Sequence, residues 1–496
     1  MHSRKGKKLV QRLNNKIYQD YPTYPEKVLQ FGEGNFLRGF IDWQFQVLNE
    51  KTDFNGSVVV VQPRGNNKIE RLNNQDGLFT LYLQGIKEGE LVNQHLVIES
   101  ISRGINLFTD YPEYIKLAGT EDLRFIVSNT TEAGIMFDPT DQLEDRPQKS
   151  FPGKLTAFLY HRFKAFTGDE KRGCIIIPCE LIERNGEKLR EIVLQYASLW
   201  NLEDEFIEWV KNANTFCSSL VDRIVPGFPT DSYKEKTEQL GYEDELMVVG
   251  EQYHLWVIEG PEWIENELKV EGTGLNTLIV DDLTPYRIRK VRILNGAHTA
   301  MTPVAYLYGL STVEESVNHE EIGMFIKEMI AEEIIPTLEG SKTELADYAD
   351  DVMNRFANPY IKHYLMSIAL NSISKFQTRN LPALLDYVEK YNSLPKRMVF
   401  SLSSLLYFYR GKKGNDVIEL QDDPVNVQFF KTNWEKFEQH ELTIKELVNK
   451  VLAEERLWGM DLTSIPNLES TVSTNLLTIY QMGVKEALKE LFETSI

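Results

Sequence analysis

Residues 288–307 constrain the fold more than any other stretch, because apolar side chains occupy the whole circumference of the predicted helix. Such a helix must be buried, so a core has to form around it. Three polar residues interrupt the pattern, and at about 100° per residue Lys290, His298 and Asn295 lie at about 0°, 80° and 140° on one broad face. An ammonium, an imidazole and an amide are costly to bury unless they have partners. The group therefore predicts a functional site, although a lysine that reaches water and a hydrogen-bonded core histidine would explain each residue taken alone.

Length, charge and cysteine content restrict the class of protein. At 496 residues the chain is large enough for two or more domains. The formal net charge of −20 argues against a nucleic-acid partner, and an anionic substrate would require a local basic cluster. Three cysteines provide no disulfide framework and predict a reducing cytoplasm. We expect no metal site, because neither Cys-x-x-Cys nor His-x-x-x-His occurs, and no membrane partner, because no apolar run is long enough.

The segment 27–48 has the order strand, glycine-rich turn, helix, which is typical of a dinucleotide-binding turn. Gly32 permits the tight turn, and Gly34 lets the backbone approach a pyrophosphate at the N-terminus of the helix. Leu37 replaces the third glycine of the full motif, so the segment could also be a turn without a ligand.

The next predicted strand, 57–61, is β-branched and unbroken, as a central parallel strand should be. The chain then continues with Gln62 and Arg64, where NAD-binding domains usually place an acid on the adenosine ribose. Arg64 could pair with the 2′-phosphate of NADP or stack on adenine. The residues at this point leave the choice between the two cofactors open.

Polar residues also follow the later predicted strands. Thr130, Thr131 and Glu132 come after an apolar run, where open α/β sheets place their binding sites, although such a loop often only caps a helix. Glu180 follows another apolar run. Asp222 precedes an arginine, and that pair could bind a ligand or simply brace the domain.

The pattern changes after the strand-like segment 278–282. Beyond it almost everything has helical periodicity, with a polar loop predicted over 411–426. These patterns predict two domains, 1–283 and 284–496.

The spacing Lys-x-x-x-x-Asn-x-x-His from Lys290 to His298 resembles the signature of the long-chain polyol dehydrogenases, the mannitol dehydrogenase family. Blocks such as 30–38 and 128–135 resemble the hexuronate branch of that family. The resemblance implies an α/β Rossmann-type N-terminal domain, a mainly α-helical C-terminal domain and a site in the cleft between them. It also implies NAD as the cofactor, Lys290 as the general acid/base, and Asn295 and His298 as the groups that polarise the reacting oxygen.

The turn and the resemblance together give the candidate residues for the cofactor. Phe36 and Arg38 fall at the expected places of the family's Gly-x-Gly-x-Phe-x-Arg form. The candidate cofactor-binding residues are Phe31, Gly32, Gly34, Asn35, Phe36, Arg38, Gln62, Arg64, Thr130 and Thr131. Where the mannitol enzymes have an Asp-Asn pair, this chain has Glu180-Leu181, so the role of that asparagine is not transferred.

The implied reaction is the reversible reduction of a keto-hexuronate by NADH, and the substrate's carboxylate then needs a cation. Lys375 matches the first basic substrate residue of the polyol enzymes, and Arg379 lies near the second with a planar fork suited to a carboxylate. Both could instead be solvated at a helix end. The candidate substrate-binding residues are Glu132, Glu180, Asp222, Lys375 and Arg379.

Several other functions stay open at this point. The chain could reduce an epimeric hexuronate, oxidise a polyol or polyol phosphate, or sense a nucleotide without catalysis. The intact Lys290, Asn295 and His298 argue against a sensor, because a sensor needs no buried proton donor. The sequence predicts no oligomeric state.

Overall fold

The computed structural model describes residues 11–19, 21–63, 68–131, 133–414 and 416–493. The candidate residues Arg64 and Glu132 lie outside the described residues, so their roles stay predictions. The chain forms two compact units, Met1–Leu283 and Thr284–Ile496. No helix in the described part of the chain has the length and hydropathy needed to cross a membrane.

A parallel sheet of six strands forms the centre of the first unit. In chain order the strands are β1 Glu26–Phe31, β2 Ser57–Gln62, β3 Ile101–Asn106, β4 Phe125–Ser128, β5 Ile175–Pro178 and β6 Thr215–Phe216. Their order across the sheet is β3-β2-β1-β4-β5-β6, and every neighbouring pair is parallel. This is the predicted Rossmann-type topology. Its strand order reverses between β1 and β4, where such sheets form their ligand crevice.

The central strands of this sheet are buried on both faces. In β2, Val58 and Val60 enter one apolar core, whereas Val59 and Val61 enter another. All four are 0% exposed. Because successive side chains point to opposite faces, a strand that is covered on both sides favours apolar residues at successive positions. Polar groups are therefore placed at the strand ends.

Helices and smaller sheets complete the first unit. The helices are Asn35–Leu37 with the π turn Arg38–Asp42 and Trp43–Lys51, then Lys68–Asn74, Tyr111–Leu117, Phe151–Ala165, Asn185–Leu199, Asp204–Asn212, Tyr233–Leu240 and Ile264–Leu268. Two three-stranded sheets join Val248–Glu251, Phe79–Lys87 and Glu90–Ile98, and Ser218–Asp222, Leu255–Glu259 and Thr277–Val280. The strand predicted over 278–282 is present as Thr277–Val280, where it forms an edge of one of these small sheets.

The second unit is mainly helical, as predicted. Its helices are Thr284–Arg289, Gly296–Tyr308, Val313–Asn318, Glu320–Glu328, Lys342–Phe356, Leu365–Ile368, Ser372–Arg379, Leu381–Tyr391, Lys396–Phe408, Pro424–Glu438, Ile444–Leu452, Glu455–Trp458, Leu468–Met482 and Val484–Glu493, with π turns at Lys290–Asn295 and Met329–Ile334. One boundary was wrong: the helix Pro424–Glu438 begins inside the predicted polar loop. The Asp423 side chain accepts a hydrogen bond from the Val425 amide at 2.8 Å, and a proline follows the cap, so local capping starts the helix.

The helix Gly296–Tyr308 is buried on all sides over most of its length. Ala297, Ala300, Met301 and Val304 are each 0% exposed. The hydroxyl of Ser401, on the helix Lys396–Phe408, donates to the carbonyl of Ala300 at 2.8 Å, so the two helices are in direct contact. The predicted buried helix is thus present, although a π turn interrupts it.

Asp42 is a buried carboxyl beneath the glycine turn of the first unit. Its Oδ2 accepts a hydrogen bond from the side-chain amide of Gln30 at 3.2 Å, and the same amide donates to the carbonyl of Gly32 at 3.1 Å. Asp42 Oδ1 and Gln30 Oε1 have no hydrogen-bond partner among the described residues. Burial raises the pKa of Asp42 to about 7, against the lowering effect of the Gln30 bond. Asp42 is therefore largely protonated below that pH.

Asp42→Asn should be more stable than the wild type at alkaline pH. The folded-state pKa of about 7 exceeds the ordinary 3.8, so the stability contributed by Asp42 is full below about pH 4 and is lost as the pH rises to 7. An asparagine has no such loss. At pH 8 we expect a gain on the order of 1–3 kcal/mol, measured by denaturant or thermal unfolding. The exposed Asp281→Asn should follow the wild type, and an Asp42→Asn variant with wild-type pH dependence would contradict the prediction.

Candidate active site

The three polar residues of the central helix lie where a π turn meets an α-helix. In the turn Lys290–Asn295, the Gly296 amide donates to a carbonyl five residues back. In a π turn, side chains five residues apart lie on one face, as side chains four residues apart do in an α-helix. Lys290 and Asn295 are therefore neighbours on one face. His298 follows three residues later in α-helical conformation and is the next neighbour on that face. The π turn therefore groups the three residues more tightly than uniform helical spacing predicts.

His298 is buried, with 8% exposure, and two rings hold its imidazole. The centroid of the Phe356 ring lies 4.2 Å away with its plane tilted by 30°, and the His363 ring meets the imidazole edge-on at 5.0 Å and 77°. Lys290 and Asn295 are only half-buried. Packing thus orients the histidine, while the other two polar groups retain access to a ligand.

Two basic residues of the helix Ser372–Arg379 lie beside the central helix. Arg379 Nη1 donates to the Thr299 hydroxyl at 3.2 Å, one residue beyond the buried histidine. Lys375 Nζ donates to the carbonyl of Ile368 at 2.8 Å. Burial lowers the pKa of both side chains, and the nearby Arg379 lowers that of Lys375 further. Two partly desolvated cations at one place would be stabilised by an anion.

Asn380 was not identified from the sequence, although it contacts the start of the central helix. Its Nδ2 donates to the carbonyl of Gly296 at 2.9 Å, and the side chain is 1% exposed. It directly precedes the helix Leu381–Tyr391 but makes no side-chain capping hydrogen bond to it. A contact across 84 residues leaves no local signal.

The glycine turn of the first unit has two different requirements. Gly32 has φ +130°, and a Cβ there would lie 2.8 Å from a methyl carbon of Leu37. Gly34 has φ −72°, and a Cβ there would meet nothing within 4 Å. Gly32 is therefore needed for the turn itself, whereas Gly34 leaves open space against the backbone, where a ligand can approach.

The neighbours of these glycines support the turn. Phe31 is completely buried in one of the sheet cores. Arg38 donates to the carbonyl of Glu33 at 3.3 Å and to the side-chain oxygen of Asn35 at 2.7 Å, and burial lowers the pKa of Arg38 to about 10. Phe36 packs partly buried against the other core. Phe31 and Arg38 therefore support the turn from the interior of the unit, Phe31 by packing and Arg38 by hydrogen bonds.

The candidates at the ends of β2, β4 and β5 are also buried. Gln62 is 0% exposed, and its side-chain oxygen accepts from the Ile69 amide at 3.4 Å. Glu180 accepts from the amide and hydroxyl of Thr130 at 2.8 and 2.9 Å, and from the Ser128 hydroxyl at 3.0 Å. Burial raises the pKa of Glu180, and the bonds from Thr130 oppose that rise. Glu180 therefore fixes the loop that follows β4.

A cavity of about 390 Å³ opens beside this loop. Thr130 and Pro63 line it at the ends of β4 and β2, together with residues 133–134. Thr131 is exposed and has φ +82°, which presents the loop backbone in an unusual conformation. This cavity lies at the carboxyl ends of the strands, where sheets of this topology bind nucleotides.

Asp222 is 4% exposed at the end of its strand. The adjacent Arg223 donates to the carbonyls of Glu251 at 2.9 Å and Gly39 at 2.7 Å, so the arginine braces the unit. Across the described ranges, no group of three or more His, Cys, Asp or Glu side chains could hold a metal ion.

Comparison with known proteins assigns both units. The mannitol dehydrogenase Rossmann domain matches residues 26–272, and the mannitol dehydrogenase C-terminal domain matches residues 282–480. Altronate oxidoreductase of Bacillus subtilis (strain 168) is 63% identical over 97% of this chain and 98% of its own length. Altronate oxidoreductase of Cronobacter sakazakii (strain ATCC BAA-894) is 47% identical over 95% of this chain and 99% of its own.

Solved structures share the fold at low sequence identity. Pseudomonas fluorescens mannitol 2-dehydrogenase, in a ternary complex with NAD and D-mannitol, has a TM-score of 0.68 at 22% identity, covering 97% of this chain and 100% of the other. A substrate-free D-sorbitol dehydrogenase has a TM-score of 0.77 at 22% identity over 94% and 95% of the two chains. These likenesses confirm the predicted fold class. Together with the two matched domains and the close curated relatives, they show that the chain belongs to the mannitol dehydrogenase family.

Proposed function

We propose that the chain catalyses the reversible, NAD-dependent interconversion of D-tagaturonate and D-altronate. The observation that carries the proposal is the grouping of Lys290, Asn295 and His298 on one helix face, with Arg379 bound to the next residue of that helix. The predicted enzyme class, a dehydrogenase acting on CH–OH, agrees with the curated relatives, which are altronate oxidoreductases.

The first unit fits a dinucleotide. The open space against Gly34, at the start of a helix, suits a pyrophosphate, and the cavity beside Thr130 suits another part of the cofactor. NADH, when bound, supplies the hydride that reduces the ketone. The acid that usually grips the adenosine ribose is replaced by the buried Gln62, so we expect weak discrimination between NAD and NADP. A role for Arg64 in that choice stays a prediction.

The second unit supplies the proton chemistry in this proposal. Asn295 and His298 would donate hydrogen bonds to the ketone oxygen as negative charge develops on it. The fixed, largely desolvated position of His298 makes such a bond stronger than one in water. Lys290 would give its proton to that oxygen to complete the alcohol, and would accept a proton in the reverse direction.

Lys375 and Arg379 would bind the substrate's carboxylate. The chain carries a net charge of −20, so an anionic substrate needs such a local basic pair. Arg379 adds a planar fork that can hold both carboxylate oxygens. Glu180 and Asp222 stay predictions as substrate residues, because Glu180 already accepts hydrogen bonds from two neighbouring residues. A cytoplasmic location also stays a prediction.

A substrate panel tests the function directly. The purified chain should oxidise NADH with D-tagaturonate, and more slowly with D-fructuronate, whose reduction to D-mannonate is the nearest alternative. Neutral ketohexoses should react poorly, because they leave the basic pair without a counter-charge. Reaction with a ketose phosphate alone would favour a polyol-phosphate dehydrogenase. Cofactor binding without turnover on any of these compounds would favour a nucleotide sensor.

Gly34→Ala should weaken NADH binding without destabilising the fold. The added methyl meets nothing within 4 Å in the chain, so it can obstruct only a bound ligand. We expect the Kd for NADH, measured by fluorescence titration, to rise about tenfold or more. Gly119→Ala serves as the matched control, because a Cβ at Gly119 would lie no closer than 3.6 Å to another atom of the chain. Unchanged NADH affinity in Gly34→Ala would place the pyrophosphate elsewhere.

Lys290→Ala should slow turnover by roughly 10²–10⁴ while NADH binding stays near normal, because the general acid is lost. Stopped-flow measurement of NADH oxidation would separate this step from product release. Lys431→Ala, at a lysine whose side chain is 63% exposed, should behave like the wild type. Near-normal turnover of Lys290→Ala would show that Lys290 is not the general acid.

Arg379→Ala should raise the KM for the keto-acid by about 10–100-fold, the loss expected for a charge-assisted contact. The NADH affinity should not change. Arg379→Lys keeps the charge but loses the fork and should be intermediate. Lys375→Ala should lower turnover as well as affinity. A KM unchanged in Arg379→Ala would mean that the carboxylate binds at another cation.

A further inference from the structure

His363 occupies a fixed position beside the polar face of the central helix. Its ring meets the His298 ring edge-on at 5.0 Å. Its backbone carbonyl accepts from the Val313 amide at 2.9 Å, and the amide two residues further on, from Leu365, donates to Ser311 at 2.9 Å. The backbone is therefore held at the histidine and two residues beyond it, and the contact with His298 fixes where the ring lies.

The ring of His363 is also within range of the charge of Lys375, one member of the basic pair. The positive charge of Lys375 acts on His363, and together with burial, the larger effect, it lowers the pKa of that imidazole. Lys375 is in turn influenced by Arg379. His363 therefore contacts the His298 ring and lies within electrostatic range of Lys375. Neither of its ring nitrogens forms a hydrogen bond within the described part of the chain.

A neutral imidazole has one donor and one acceptor nitrogen, which matches a hydroxyl group. In a keto-hexuronate, the carbons between the ketone and the carboxylate carry hydroxyl groups. If Asn295 and His298 hold the ketone oxygen and the basic pair holds the carboxylate, those carbons pass beside His363. D-tagaturonate and D-fructuronate differ only in the configuration of one such hydroxyl. A residue at this place can distinguish them.

We propose that His363 hydrogen-bonds the hydroxyl at which the two keto-hexuronates differ, and so determines which epimer the enzyme reduces; this inference rests on the function proposed above. The favoured epimer would direct its hydroxyl to the ring. The other epimer would leave a half-buried imidazole nitrogen and its own hydroxyl without a partner, which raises the free energy of its transition state. His363 would therefore be a specificity residue, while Lys290, Asn295 and His298 carry out the reaction with both epimers.

The test is the ratio of kcat/KM for D-tagaturonate to that for D-fructuronate, measured for the full chain with NADH. Both values come from one preparation, so the fraction of folded enzyme cancels. His363→Ala and His363→Gln should each lower the ratio about tenfold, the effect typical of one hydrogen bond. The exposed His440→Gln is the matched control and should keep the wild-type ratio.

The outcomes are distinguishable. A fall of the ratio in both His363 variants, with an unchanged Kd for NADH, supports the inference. A ratio equal to that of the wild type, including equal losses with both epimers, overturns it, because the histidine would then act only through packing against His298. If the wild-type chain reduces neither keto-hexuronate, the proposed function fails, whatever the variants do.

Discussion

The first unit depends on the burial of its central sheet on both faces. Val58 to Val61 alternate between two cores and leave no surface of the strand for polar groups. Polar chemistry is thereby restricted to the carboxyl ends of the strands, where Gln62, Thr130 and Glu180 lie. Glu180 shows how such groups are accommodated, because its buried carboxylate is matched by donors from the neighbouring loop. The position of the polar site and the composition of the core thus both follow from the burial of the sheet on its two faces.

The second unit applies the same constraint to a helix. The central helix has apolar surroundings. Each of its polar residues therefore either has a partner or lies, like Lys290 and Asn295, at the half-buried start of the helix. Aromatic rings pack against His298, and the Thr299 hydroxyl accepts a hydrogen bond from Arg379. In such a site hydrogen bonds are strong and unpaired polar groups are costly. The site therefore favours ligands whose polar groups match its own and disfavours those whose groups do not.

The sequence indicated a large part of this arrangement, because the relevant signals are local. Short apolar runs predicted β1, β2 and β4, and the apolar pattern of residues 288–307 predicted the helix that carries Lys290. The π turn could not be predicted, since it depends on a shift in backbone hydrogen bonding that apolar periodicity does not record. Asn380 was missed because its contact with Gly296 is distant in sequence. The inward direction of Arg38 likewise depends on partners, Leu246 among them, that only the fold brings together.

The π turn at Lys290–Asn295 sets the direction of Lys290 relative to the buried helix that follows. A π turn accommodates one more residue than the α-helical turn it replaces, so it is what a single-residue insertion leaves behind when the rest of the helix keeps its packing. The buried portion from Gly296 onward would stay in register, while everything before the insertion rotates relative to it. Removal of one residue from this turn would therefore change the direction of Lys290 without changing the packing of the core.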